Sequence, residues 1–181
     1  MPTTSITRAH DTADQLFERH AQVFGADLPV YRGHVHRVIG VVGLQCDVPS
    51  ELAGPLGVAG FFHDAGIWFA GTWDYLPPSV DHAVAELDEA DQPHAELVSS
   101  MISEHHRMRR ARHDNPLVEA FRLADLTDVS AGLVGSPGAS RAQYRELTRQ
   151  YPAGGFRPML MKAFGRGLRE APLRPMPMMK L

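Results

Sequence analysis

The stretch Leu52-Ala53-Gly54-Pro55-Leu56-Gly57-Val58-Ala59-Gly60-Phe61-Phe62-His63-Asp64 decides the fold. Small and apolar residues fill nearly every position, so no single face is reserved for water. A helix of this kind lies at the centre of a fold rather than on its surface. Ser50 is placed to cap it, after the break Cys46-Asp47-Val48-Pro49. At its far end the apolar run stops abruptly at His63-Asp64. Nothing about solubility calls for an acid directly behind two phenylalanines.

Working outward, the punctuation reads as further helices separated by short breaks. Asp11 or Thr12 can cap a first helix running to about Phe24, where Gly25 supplies a stop. Pro29 stands near the start of a second, whose Val35, Val38, Ile39 and Val42 follow the i, i+3, i+4, i+7 stripe of a helix packed on a core. Beyond the central helix, 66–78 reads as an aromatic loop carrying Trp68, Trp73 and Tyr75, packed down as a lid or wall. Ser79 then caps a fourth helix, and Pro93 opens a fifth that ends at His105-His106. Asn115-Pro116 starts a sixth, Ser140 caps a seventh reaching about Tyr151, and 156–167 gives a last one. The prolines of 172–179 cannot continue a helix, so that stretch is expected to lie extended along the body. No useful period-2 alternation occurs, and the reading is all-α, a single helical bundle. Within it, 1–28 is an N-terminal helical extension, 29–135 the core, and 136–181 C-terminal helices with a Pro/Met-rich tail.

Composition narrows the function. The chain has 181 residues with 44% hydrophobic and 22% charged side chains, as in an ordinary globular domain. Its formal net charge of −3 gives no field for gripping a nucleic-acid polymer. No run approaches the length and apolarity of a membrane span, and the N-terminus lacks the apolar segment of a secretory signal, so a cytoplasmic location is expected. One cysteine, Cys46, excludes a disulfide framework and a thiolate-rich metal site. Histidine is the outlier: eight of the ten fall between positions 34 and 113.

Divalent transition metals take neutral imidazoles and carboxylates converging on one point, and a helical bundle supplies them from facing helices. The candidates are His34 on the second helix, His63-Asp64 ending the third, His105 and His106 ending the fifth, and Asp125 on the sixth. Asp125 sits in the otherwise apolar Phe121-Arg-Leu-Ala-Asp-Leu-Thr-Asp, where an acid is costly to bury unless paired or bound to metal. Asp128, one turn on, is either a group that orients a ligand or part of the helix surface. Arg37 and Arg107 are the candidates for charge compensation around an anion, although the run Arg107 to Arg112 also reads as a solvated helix end. His36, about 200° round the helix from His34, is expected at the surface, as is His94. His10, His20 and His113 carry no role.

The order His34-x-x-Arg37-Val38, then His63-Asp64 29 residues after His34, then Asp125 in Ala-Asp-Leu-x-Asp 61 residues after Asp64, resembles the HD-domain superfamily of metal-dependent phosphohydrolases. The resemblance covers 31–133. It implies a helical HD-like bundle with a central site, in which His34, His63, Asp64 and Asp125 hold one divalent ion (Mn, Fe, Zn, Ni, Co or Mg). Members with two ions imply His82, His105 and His106 as ligands of a second. Two departures limit the likeness. The dipeptide is followed by Ala65-Gly66-Ile67 in place of x-Gly-Lys, and His105-His106 by Arg107-Met108 without Gly-Tyr-Pro. The expectation is a phosphohydrolase acting on a small phosphate ester, a nucleotide among them, with Asp64 orienting the attacking water. A di-iron HD-type oxygenase and a non-catalytic HD ligand-binding sensor are the alternatives.

Overall fold

The computed structural model describes residues 3–72 and 74–155, and beyond them the single positions 158, 165, 169 and 178. Among these residues the regular structure is helical throughout, with no strand. The helices are α1 (Thr4–Phe24), α2 (Leu28–Gln45), α3 (Ala53–Phe62), α4 (Gly66–Phe69), α5 (Leu76–Glu86), α6 (Ala95–Glu104), α7 (Pro116–Val129) and α8 (Arg141–Gln150). The all-α expectation holds. None of the described helices is long and apolar enough to cross a membrane.

The centre is α3, as its composition requires: all ten of its residues are buried. Its glycines and alanines let neighbouring helices approach closely. At Gly57 an added Cβ would lie 2.6 Å from the Ala9 carbonyl oxygen and 2.6 Å from Thr12 Cβ, both on α1. Helix α1 is therefore part of the packed body. Its Ile6, Ala9, Ala13, Leu16 and Phe17 pack into the same hydrophobic cluster as α2, α3, α6 and α7. This apolar stripe begins well before Asp11, and so does the helix. Thr3 caps it, its hydroxyl accepting from the Ile6 N–H.

Other boundaries follow local chemistry. Gly25, at φ 53°, ends α1. Asn115 caps α7 through the Leu117 N–H, and Ser140 with Gln143 forms a reciprocal capping box on α8. Two expected caps act otherwise. Ser50 lies in a short 3₁₀ turn, Ser50–Leu52, preceding α3. Helix α5 starts at Leu76, since Pro77 and Pro78 fit a first turn whose N–H groups have no intrahelical acceptor; Ser79 Oγ instead accepts from the Gly66 N–H at 2.9 Å. The aromatic loop is partly helical as α4. Trp68 packs on Tyr31, with centroids 4.7 Å apart, and donates to Asp27 Oδ2 at 3.1 Å. Trp73, the expected helix over 156–167 and the tail lie outside the described residues, apart from the single positions named above, of which Met178 is buried.

The tight α1–α3 crossing gives a stability test. Gly57→Ala forces backbone atoms apart, and should cost about 1–3 kcal/mol, read as a lower denaturant midpoint at unchanged m-value. An unchanged midpoint would contradict this packing.

Candidate metal centre

Four helices deliver side chains to one buried point. His34 projects from the middle of α2. His63 and Asp64 follow α3 directly, His105 and His106 follow α6, and Asp125 and Asp128 stand one turn apart on α7. His34 and His63 are fully buried, and His105, Asp64, Asp125 and Asp128 nearly so. His106 is the most open member, with 21% of its side chain exposed.

The end of α3 is pinned from α2. Tyr31, one turn before His34, donates its hydroxyl to the Phe61 carbonyl at 2.7 Å and accepts from the Asp64 N–H at 3.3 Å. This sets His63 and Asp64 in place. Each of three imidazoles is then fixed through Nδ1. His34 Nδ1 meets Asp128 Oδ2 at 2.7 Å, His63 Nδ1 the Gly60 carbonyl at 2.7 Å, and His105 Nδ1 the Ile102 carbonyl at 2.6 Å. These acceptors place the proton on Nδ1 and turn each Nε2 towards the centre, the arrangement that orients imidazole ligands in metal sites.

The inward atoms are close together. His34 Nε2 lies 2.9 Å from His63 Nε2 and 3.4 Å from Asp125 Oδ1. Asp64 spans two pairs of histidines. Its Oδ2 is 3.5 Å from His63 Nε2 and 3.9 Å from His34 Nε2, while its Oδ1 is 3.3 Å from His105 Nε2 and 3.8 Å from His106 Nε2. The triads His34–His63–Asp125, His63–Asp64–His105 and His105–His106–Asp125 each offer donor atoms within 4.8 Å of one another. Such a set fits a divalent ion. Among the described residues, His105 Nε2 and Asp125 Oδ1 are buried without a hydrogen-bond partner.

The charges of the cluster are mutually adjusted. Burial opposes charge on the carboxyls of Asp64 and Asp125, but the surrounding histidines outweigh it and keep both below the usual carboxylate range. Burial likewise opposes charge on His34, and the carboxylates of Asp125 and Asp128 overcome it, raising the imidazole to about 9. Burial and the neighbouring histidines push His63 down to about 4, and burial with His105 does the same to His106. Burial opposes charge on His105 too, and Asp64 outweighs it and shifts that imidazole up. The carboxylates thus favour the protonated forms of His34 and His105, and burial the neutral forms of His63 and His106.

Arg37 is not available to a substrate. It is fully buried on α2, with Nε and Nη2 donating to the two oxygens of Asp128 at 2.6 and 2.9 Å, and Nη1 to the Tyr151 carbonyl at 2.8 Å. Tyr144 adds a hydrogen bond to Asp128 Oδ1 at 2.8 Å. Arg37 therefore acts through Asp128 on His34, and Asp128 orients a ligand instead of meeting solvent. Arg107, next to His106, is paired with Glu104 at 2.7 Å.

His82 is not brought to the cluster. On α5 the inward positions are Leu76, Ser79 and Ala83, which leaves His82 exposed with its ring against Phe69 at 4.6 Å. His36, expected at the surface, is buried. Helix α2 is covered on its far side as well, by α1 and the segment after α8, so His36 stacks on Tyr151 at 4.7 Å and bonds Asp14 at 2.7 Å. Sequence reasoning assigned no site role to Tyr31 or Tyr75. Tyr75, just before α5, is buried and donates its hydroxyl to Asp64 Oδ1 at 2.7 Å, and its phenol oxygen is also hydrogen-bonded to His106 Nε2. Its apolar neighbours disguise it as core.

Compared with known protein-family models, curated proteins and solved structures, the chain matches none.

Two outcomes follow from this geometry. Because an ion must displace protons from His34 and His105, cation affinity should rise with pH and level off above about pH 9; a calorimetric titration across pH checks this, and a flat profile would contradict it. Asp128→Asn, which removes the charge facing His34 Nδ1, should weaken cation binding by about 10–100-fold, measured in the same titration.

Proposed function

We propose that the protein is a metal-dependent phosphohydrolase of the HD-domain kind, acting on a small phosphate ester, with nucleotides within that class. The observation that carries this reading is Asp64, whose two oxygens face separate histidine pairs, Oδ2 towards His34 and His63 and Oδ1 towards His105 and His106. A carboxylate so placed suits a centre of two adjacent ions, the pattern of many phosphatases.

His34, His63, Asp64 and Asp125 would hold one ion, and Asp64, His105 and His106 a second. A divalent cation held there lowers the pKa of water and offsets charge on phosphoryl oxygens. The chain's own contribution is to keep Asp64 and Asp125 ionised inside the protein and to aim the Nε2 atoms of His34, His63 and His105 at the centre, where the ion would take the place of the His34 proton. The Arg37–Asp128 pair steadies His34, and Tyr31 steadies the turn carrying His63 and Asp64. His106, at the most open edge of the cluster, is where a substrate would approach, with Arg107 beside it. The charge balance of the chain favours a small anionic substrate over a nucleic-acid polymer.

Metal analysis of protein purified without chelator, followed by a panel of phosphate esters, tests the proposal. Hydrolysis should require the cation and should be abolished in His63→Ala and in Asp64→Ala. Full activity in either variant overturns it. Two irons with a visible absorption band and oxygen consumption would identify an oxygenase, while ligand-induced thermal stabilisation without turnover would identify a sensor.

A further inference from the structure

The donor atoms of the cluster are not equally free for a cation. His34, His63 and His105 have their Nδ1 atoms engaged by Asp128, Gly60 and Ile102, so their Nε2 atoms are directed inward. At the other end, Tyr75 fills the gap. Its phenol oxygen is hydrogen-bonded to both Asp64 Oδ1 and His106 Nε2, two of the donor atoms that a second ion would use.

Tyr75 is held there by construction. The Tyr75 carbonyl accepts from the Ser79 N–H at 2.9 Å, and Ser79 Oγ accepts from the Gly66 N–H at 2.9 Å. Gly66, two residues past Asp64, leaves the room: a Cβ at that position would lie 2.3 Å from the Tyr75 carbonyl oxygen and 2.8 Å from Ser79 Oγ. The turn after the His-Asp pair and the start of α5 are thus fitted to each other, and the phenol is aimed at the cluster.

We infer that the Tyr75 hydroxyl is the stopper of the second cation position: it satisfies Asp64 and His106 when one ion is bound, and a second ion enters only by displacing it. The centre then takes one ion tightly and a second conditionally. The inference rests on the metal centre proposed above and not on the reaction assigned to it.

Titration of the full-length protein with cobalt(II), followed by calorimetry and by the visible absorption of the bound ion, tests this. Wild type should show two unequal steps. Tyr75→Phe keeps the ring and removes the hydroxyl, so the second step should tighten by about tenfold or more, as expected when a ligand no longer competes with a hydrogen bond to a charged group. The first step should stay unchanged. A weaker second step in Tyr75→Phe would make the phenol a ligand and overturn the inference, and an unchanged one would make it a bystander. Two equal steps in wild type would overturn it as well. Failure to hydrolyse any phosphate ester leaves it standing, whereas failure to bind cobalt at all removes the centre itself.

Discussion

The structure turns on a concentration of acceptors with too few donors. Two carboxylates held in the ionised form and inward-facing imidazole nitrogens meet in a buried space, where His34 Nε2 and His63 Nε2 stand 2.9 Å apart. Groups of this kind are costly to bury uncompensated. The surrounding fold supplies the rigidity that keeps them together. Helix α3 is buried along its whole length, Tyr31 ties the Phe61 carbonyl to α2, and the Arg37–Asp128 pair fixes α2 to α7.

The helical class and the meeting of His34, His63, Asp64, His105, His106 and Asp125 were legible in the sequence because each has a local signature. A helix apolar on all faces must be central, and an acid embedded in an apolar run must have a partner. What escaped depends on contacts between distant segments. The angle of His36 to His34 places it on the wet face of a helix that has one; α2 has none along that stretch. Arg37 looked like a substrate contact because an arginine beside a histidine ligand is read by charge, and its actual acceptor lies 91 residues on. His82 had a suitable spacing but the wrong helical phase. Spacing along a chain says nothing about which way a helix is turned.

Boundaries show the same division. Asn115 and Ser140 were recognisable as caps because the capping partner lies two or three residues away. The start of α1 was not, since Thr3 competes with the equally suitable Asp11 and Thr12, and burial of Ile6 and Ala9 against the core decides between them. Glycines behaved similarly. Gly25 reads as a helix stop from sequence alone, while the reason for Gly66 is a carbonyl and a hydroxyl contributed by residues 75 and 79.

The bond from Arg37 to the Tyr151 carbonyl bears on how much polypeptide the centre needs. Residues 29–135 contain every histidine and aspartate of the cluster, yet one acceptor of its buried guanidinium and the tyrosine steadying Asp128 both come from beyond that range. A fragment ending at 135 would hold the complete set of donor atoms and still leave the buried Arg37 Nη1–H without its acceptor. The smallest piece that closes this polar framework extends to residue 151, so α8 is part of the centre's foundation although it contributes no atom to its interior.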